Sequence, residues 1–180
     1  MDPRRFVFVD ECSTNVRMVP LRARAPKGKR AFGKAPRNWK ENVTLISSIS
    51  LTGGVGASMS VEGSADGEAF LLYVEHFLCP SLRHGQIVVM DNLQVHKMKK
   101  VRELIEEGGC SVVFLPPYSP DFNPIEQAFS KIKGILRKAK ARTFEALVEA
   151  TGQALSEMTR EDARGFFDHC GYGVPGAHSL

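Results

Sequence analysis

Apolar positions along the chain come in short runs punctuated by acids, glycines and prolines. Phe6-Val7-Phe8-Val9 is closed by Asp10-Glu11, the pattern of a buried strand ending in charge. Residues 43–51 (VTLISSISL) are β-branched and partly alternating, and they stop at Gly53-Gly54. They predict a second strand, with residues 57–61 returning as its hairpin partner. Ser64 or Asp66 can cap a helix running to about Cys79, with Phe70, Val74 and Phe77 on one face and Pro80 as its stop. Residues 86–90 repeat the first pattern, an apolar run closed by Asp91. A helix over 97–107 is ended by Gly108-Gly109, and a strand over 111–115 is halted by Pro116-Pro117. Three further helices are expected at 124–140, 144–158 and 160–170. Strands and one helix, then strand, helix, strand, then helices, predict an α/β layer fold with a mixed sheet.

The length of 180 residues suits a single domain, and 43% hydrophobic with 24% charged residues argues against disorder. No apolar run approaches the roughly 20 residues that span a bilayer, and the start is too short in apolar residues for a signal peptide. Cys12, Cys79, Cys110 and Cys170 are scattered with no C-x-x-C pair, so neither a zinc ribbon nor a disulfide framework is indicated. The expectation is a soluble cytoplasmic domain without a membrane partner.

A net charge of +4 hides an uneven distribution. Residues 17–40 hold nine of the 24 Lys and Arg (Arg17, Arg22, Arg24, Lys27, Lys29, Arg30, Lys34, Arg37, Lys40) and no acid. Two more clusters lie at Lys97, Lys99, Lys100, Arg102 and at Lys131, Lys133, Arg137, Lys138, Lys140, Arg142. The helical clusters fit ordinary solvated faces. The first, broken by Pro and Gly and carrying Trp39, fits a phosphate-backbone surface.

Two strands thus end in a carboxylate, Asp10 and Asp91, where sites of α/β sheets gather. A third acid stands in Pro116-Pro117-Tyr118-Ser119-Pro120-Asp121-Phe122-Asn123-Pro124-Ile125-Glu126-Gln127. Asn123 is a good N-cap and Pro124 suits the first helical position, so Glu126 falls at the third, a capping-box arrangement. Ile125, Phe129, Ile132 and Leu136 form the buried stripe, with Glu126 beside it. Spacing alone serves capping and catalysis equally well. Three converging acids would suit a hard divalent cation and phosphoryl transfer.

Asp10 in FVFVDE, Asp91 in VVMDNLQVH and Glu126 in LPPYSPDFNPIEQAF resemble the Asp-Asp-Glu triad of DDE transposases, with 34 residues between Asp91 and Glu126. The pattern is most similar to the bacterial insertion-sequence 630 family, relatives of the mariner elements. The resemblance implies an RNase H-like fold, a mixed central sheet flanked by helices. It implies Asp10, Asp91 and Glu126 as catalytic ligands of two Mg²⁺ or Mn²⁺ ions, with Asn92, His96 and Asn123 in support. It further implies hydrolysis at transposon ends and strand transfer into a target duplex at TA steps, within a homodimeric synaptic complex associated with the nucleoid. DNA would be gripped by Arg22, Arg24, Lys27, Lys29, Arg30, Lys34, Arg37, Trp39, Lys40, Lys97 and Lys133. Full-length members of the group resemble a helix-turn-helix region followed by the catalytic domain. Here 1–180 is read as the catalytic domain alone, with an upstream DNA-binding frame as a potential partner. An RNase H-like nuclease without strand transfer and an inactive DNA-binding remnant are the alternatives.

Overall fold

The computed structural model describes residues 1–19, 27, 42–117 and 119–173. Among them, β1 (Phe6–Asn15), β2 (Asn42–Ser50), β3 (Gly54–Glu62), β4 (Ile87–Met90) and β5 (Ser111–Phe114) form one sheet in the order β3-β2-β1-β4-β5. β1 pairs antiparallel with β2 and parallel with β4, so it is where the hairpin half of the sheet meets the parallel half. The sheet is mixed, as the pattern predicts.

Helices cover both faces, which is why β2 and β4 are buried almost throughout rather than alternating between buried and exposed. On one face α4 (Pro124–Ala139), α5 (Phe144–Ser156) and α6 (Arg160–His169) pack over Phe8, Cys12, Leu45, Ile49 and Val89. On the other, α1 (Gly67–Tyr73) and α3 (Lys99–Glu107) pack over Val7, Val9, Ile46, Val88 and Met90. Each of these two layers buries its own apolar stripe against the central strands.

Two expectations need correction. β1 does not end at the acids: its pairing with β2 continues through Asp10↔Ser47 and Glu11↔Ile46 to Asn15↔Asn42. The strand passes through the carboxylates because each finds partners, described below. The helix capped by Asp66, whose carboxylate accepts from Ala69 N at 2.9 Å, is also not uniform. α1 gives way to a π-helical segment, Val74–Leu78, and a last short turn α2 (Cys79–Ser81). A π turn holds one residue more than an α turn, so the inward stripe shifts. Phe70, Tyr73, Val74 and Leu78 are buried, while Phe77 is exposed rather than on the inner face.

Candidate active site

Side-chain parity on β1 sends neighbouring residues to opposite layers. Asp10 shares the face of Phe8 and Cys12, toward α4, while Glu11 shares the face of Val7 and Val9, toward α1. Asp91 follows the last residue of β4. Continuing the parallel register Phe6↔Ile87, Phe8↔Val89 brings it level with Asp10 on the adjacent strand. Glu126 stands in the first turn of α4, which lies across that strand end. Asp10, Asp91 and Glu126 line one cavity of about 370 Å³, together with Asn92, Leu93, Asn123 and the Pro116-Pro117 corner.

Asn123 does not act as the predicted cap. Its side chain makes no capping bond to α4; instead its amide donates to Asp10 Oδ2 at 2.9 Å. Its own backbone N–H goes to Pro120 O at 2.9 Å, so the reciprocal half of a capping box is absent too. The tertiary partner outcompetes the local one, and it leaves the Glu126 carboxylate exposed at the cavity instead of folded back on the helix end. Asn123 Oδ1 is buried and has no hydrogen-bond partner. A buried orphan acceptor costs about 1–3 kcal/mol unless something satisfies it.

Asp10 is almost fully buried and accepts from Glu11 N at 2.8 Å. Burial pushes its pKa up to about 7, the backbone bond opposes the rise, and the charges of Asp91, Glu11 and Glu126 add to it. Oxygen-only donors, an orphan amide oxygen and a buried acid crowded by other acids suit a hard divalent cation. As the side chains stand, no three His, Cys, Asp or Glu among the described residues close around one point. Asp91 Oδ1 accepts from Leu93 N at 2.9 Å and stands 2.6 Å from His96 Nδ1, an ion-pair contact without the alignment of a hydrogen bond.

His96 stands in a 3₁₀ turn (Val95–Lys97) just before α3, with its side chain wholly buried. Its Nε2 lies 3.0 Å from both carboxylate oxygens of Glu11, and its ring is 4.5 Å from that of Phe70. Burial by itself would lower the His96 pKa. The hydrogen bond and charge of Glu11, with Asp91 and Asp10, outweigh burial and hold it above the ordinary value. The Asn92 amide donates to Leu115 O, which ties the loop after β4 to the end of β5.

The expected DNA contacts divide. Arg22, Arg24, Lys29, Arg30, Lys34, Arg37, Trp39 and Lys40 lie outside the described residues. Lys27 and Lys97 are exposed. Lys133 is half-buried on the Glu126 side of α4, close enough to Cys12 to oppose the rise that burial imposes on that thiol. Other cations of the helical clusters pair with groups of the protein at its surface. Lys131 bonds Asp162 at 2.5 Å, Arg142 donates to Val16 O at 2.8 Å, and Lys99 pairs with Glu103 at 3.2 Å. Sequence reasoning missed Glu11, treated only as the end of a strand. The signal was its position, one residue from Asp10 and therefore on the opposite face.

No curated protein sequence matches the chain. Among solved structures it superimposes on the pre-cleavage Mos1 transpososome with a TM-score of 0.75 and 17% identity, over 95% of this chain and 54% of that one. The Mos1 mariner paired end complex with Mg gives 0.70 and 15%, over 93% and 53%. The catalytic domain of Mos1 mariner transposase gives 0.63 and 15%, over 94% and 78%. The chain spans about half the length of the Mos1 chains in the DNA complexes, and at these identities the likeness establishes a shared RNase H-like fold. The sequence profile of the DDE superfamily endonucleases matches residues 5–148, a stretch that carries all five strands and α4. By that match the chain belongs to the DDE superfamily endonuclease family.

Proposed function

We propose that this chain is the catalytic domain of a transposase of the insertion-sequence 630 and mariner kind. It cuts DNA at transposon ends and joins the freed 3′ hydroxyl to a target duplex at TA steps. One observation carries the reading: Asp10, Asp91 and Glu126, from β1, the end of β4 and the first turn of α4, line a single cavity. Asp10, Asp91 and Glu126 would hold two Mg²⁺ or Mn²⁺ ions. Bound there, such ions lower the pKa of the attacking water or hydroxyl and stabilise the leaving oxygen of an in-line displacement. The Mos1 structures with Mg, with Mn and with a transposon end lend support by their shared fold.

The chain's own residues then have separate tasks. Asn123 holds the Asp10 carboxylate from the α4 side, and its Oδ1, buried without a hydrogen-bond partner, would be an oxygen available to a bound ion. Asn92 fixes the loop that carries Asp91. Lys133, on the same side of α4 as Glu126, is placed to neutralise a phosphate beside the acids. Exposed Lys27 and Lys97, with Arg22, Arg24, Lys29, Arg30, Lys34, Arg37, Trp39 and Lys40, would track the backbone away from the centre. Two copies would pair to hold two DNA ends, with any end-recognition region supplied upstream.

The test uses an uncut transposon end to read cleavage, and a pre-cut end with a target duplex to read joining, with Mg²⁺ or Mn²⁺, comparing wild type with Asp91→Asn and Glu126→Gln. Metal-assisted charge stabilisation is worth several kcal/mol, so each variant should lose about a thousandfold or more in cleavage. Wild-type rates in either variant overturn the site. Cleavage without joined product leaves an RNase H-like nuclease instead of a transposase.

A further inference from the structure

We propose that Glu11 and His96 form a positioning pair that sets the orientation of the Asp91 carboxylate; this rests on reading Asp91 as a ligand of the catalytic metal. Asp10 and Glu11 are adjacent on β1 but point into opposite layers. Glu11 therefore cannot reach the acid-lined cavity beside α4 directly. It reaches the centre through the other layer, with both oxygens 3.0 Å from His96 Nε2. The far nitrogen of the same ring, Nδ1, is 2.6 Å from Asp91 Oδ1. The imidazole is wholly buried and its ring lies 4.5 Å from Phe70, which leaves it little freedom to turn. A carboxylate thus faces each ring nitrogen, Glu11 as a hydrogen-bond acceptor of Nε2 and Asp91 in ion-pair contact with Nδ1.

Leu93 N donates to Oδ1 and the buried imidazole presses against it in ion-pair contact, so that oxygen is held on two sides. Oδ2 has no protein partner among the described residues and is the oxygen free for a ligand. The carboxylate that sets the angle thus lies on the strand of Asp10, 80 residues before the one it serves. Such outer partners orient first ligands, and their loss commonly weakens metal binding 10- to 100-fold.

The experiment compares the wild type, Glu11→Gln, His96→Gln and the double variant. It reads Mn²⁺ affinity by water-proton relaxation, melting of the metal-free proteins, and crystal structures of metal-free wild type and Glu11→Gln. Each single variant should bind Mn²⁺ about tenfold more weakly, and the double no more weakly than the singles, because both act through one oxygen. Glu11→Gln should still melt in one cooperative transition, at a somewhat lower temperature because buried His96 loses its charge partner, with the Asp91 carboxylate turned away from its wild-type orientation. Additive losses, or wild-type Mn²⁺ affinity in Glu11→Gln, overturn the inference. So does an unchanged Asp91 orientation in the Glu11→Gln crystals, a readout that needs neither bound ion nor a folded His96 variant. Asp91→Asn separates the two levels. If it binds Mn²⁺ as the wild type does, the reading of the centre itself fails. If it loses Mn²⁺ while Glu11→Gln keeps it, only the positioning pair fails.

Discussion

Asp10 is a carboxyl group placed where a carboxylate is costly, inside a sheet and near three other acids. Its pKa, pushed up to about 7, means the folded chain keeps a proton that the unfolded chain has already released. Between about pH 4 and pH 7 the native state binds more protons, so stability falls as pH rises through that window. His96, also raised, adds a loss of the same sign as pH rises through its folded pKa. Asp10→Asn should therefore flatten the fall without abolishing it. In the metal-free protein at pH 8 it should be the more stable form by on the order of 2 kcal/mol, checked by urea unfolding across pH. Asn123→Ala should act oppositely, taking the last buried donor from Asp10 Oδ2 and costing about 1–3 kcal/mol in the same assay. The acids at 10, 91 and 126 were legible because each closes an apolar run or opens a helix. Glu11 was not, since its partner His96 lies 85 residues away and nothing local marks the pair. Asn123 was misread for the mirror reason: the local pattern advertises a cap, and a contact 113 residues distant takes its amide.

At the level of elements, the helices on the α4 side are bounded by identifiable chemistry. Thr159 and Asp162 form a full capping box at α6, and Asp162 also receives Lys131 from α4. Thr159→Ala should cost about 1 kcal/mol by thermal unfolding, because α6 delivers the wholly buried Phe167 to the core. The other end of α4 is under strain. Lys140 closes it with φ of 53°, among the described residues the one non-glycine with positive φ. Lys140→Gly should relieve this and stabilise the protein by about 1 kcal/mol, a melting rise of a few degrees. Helix positions were readable from period and punctuation. The π segment at Val74–Leu78 was not, because an inserted residue leaves composition unchanged and alters only which side chains turn inward.

For the whole molecule, the strand inventory followed from short apolar runs, but not the strand order. No local signal says that β1 should lie between β2 and β4; that arrangement satisfies two apolar layers at once. The charge map also needed the structure, because Lys131 and Arg142 bond to other elements of the protein and Lys99 pairs with Glu103 on the surface of α3. If Lys133 meets a phosphate as proposed, Lys133→Ala should weaken binding to any duplex alike and reduce the salt slope of log affinity by about one unit, measured by anisotropy. Among the described residues no helix is long and apolar enough to cross a membrane.

The parallel pairing of β1 with β4 has a consequence for synthesis. Phe6 must wait for Ile87 before that edge can close, and the loop between them is long enough to make the closure slow. Glu126 comes later still, in a helix whose inner face packs on β1. If Asp10, Asp91 and Glu126 form one centre as proposed, a chain synthesised only as far as β5 carries two of its acids without the third, and a product truncated before α4 never completes it. The proposed chemistry would therefore depend on α4 docking onto β1 after the sheet has closed.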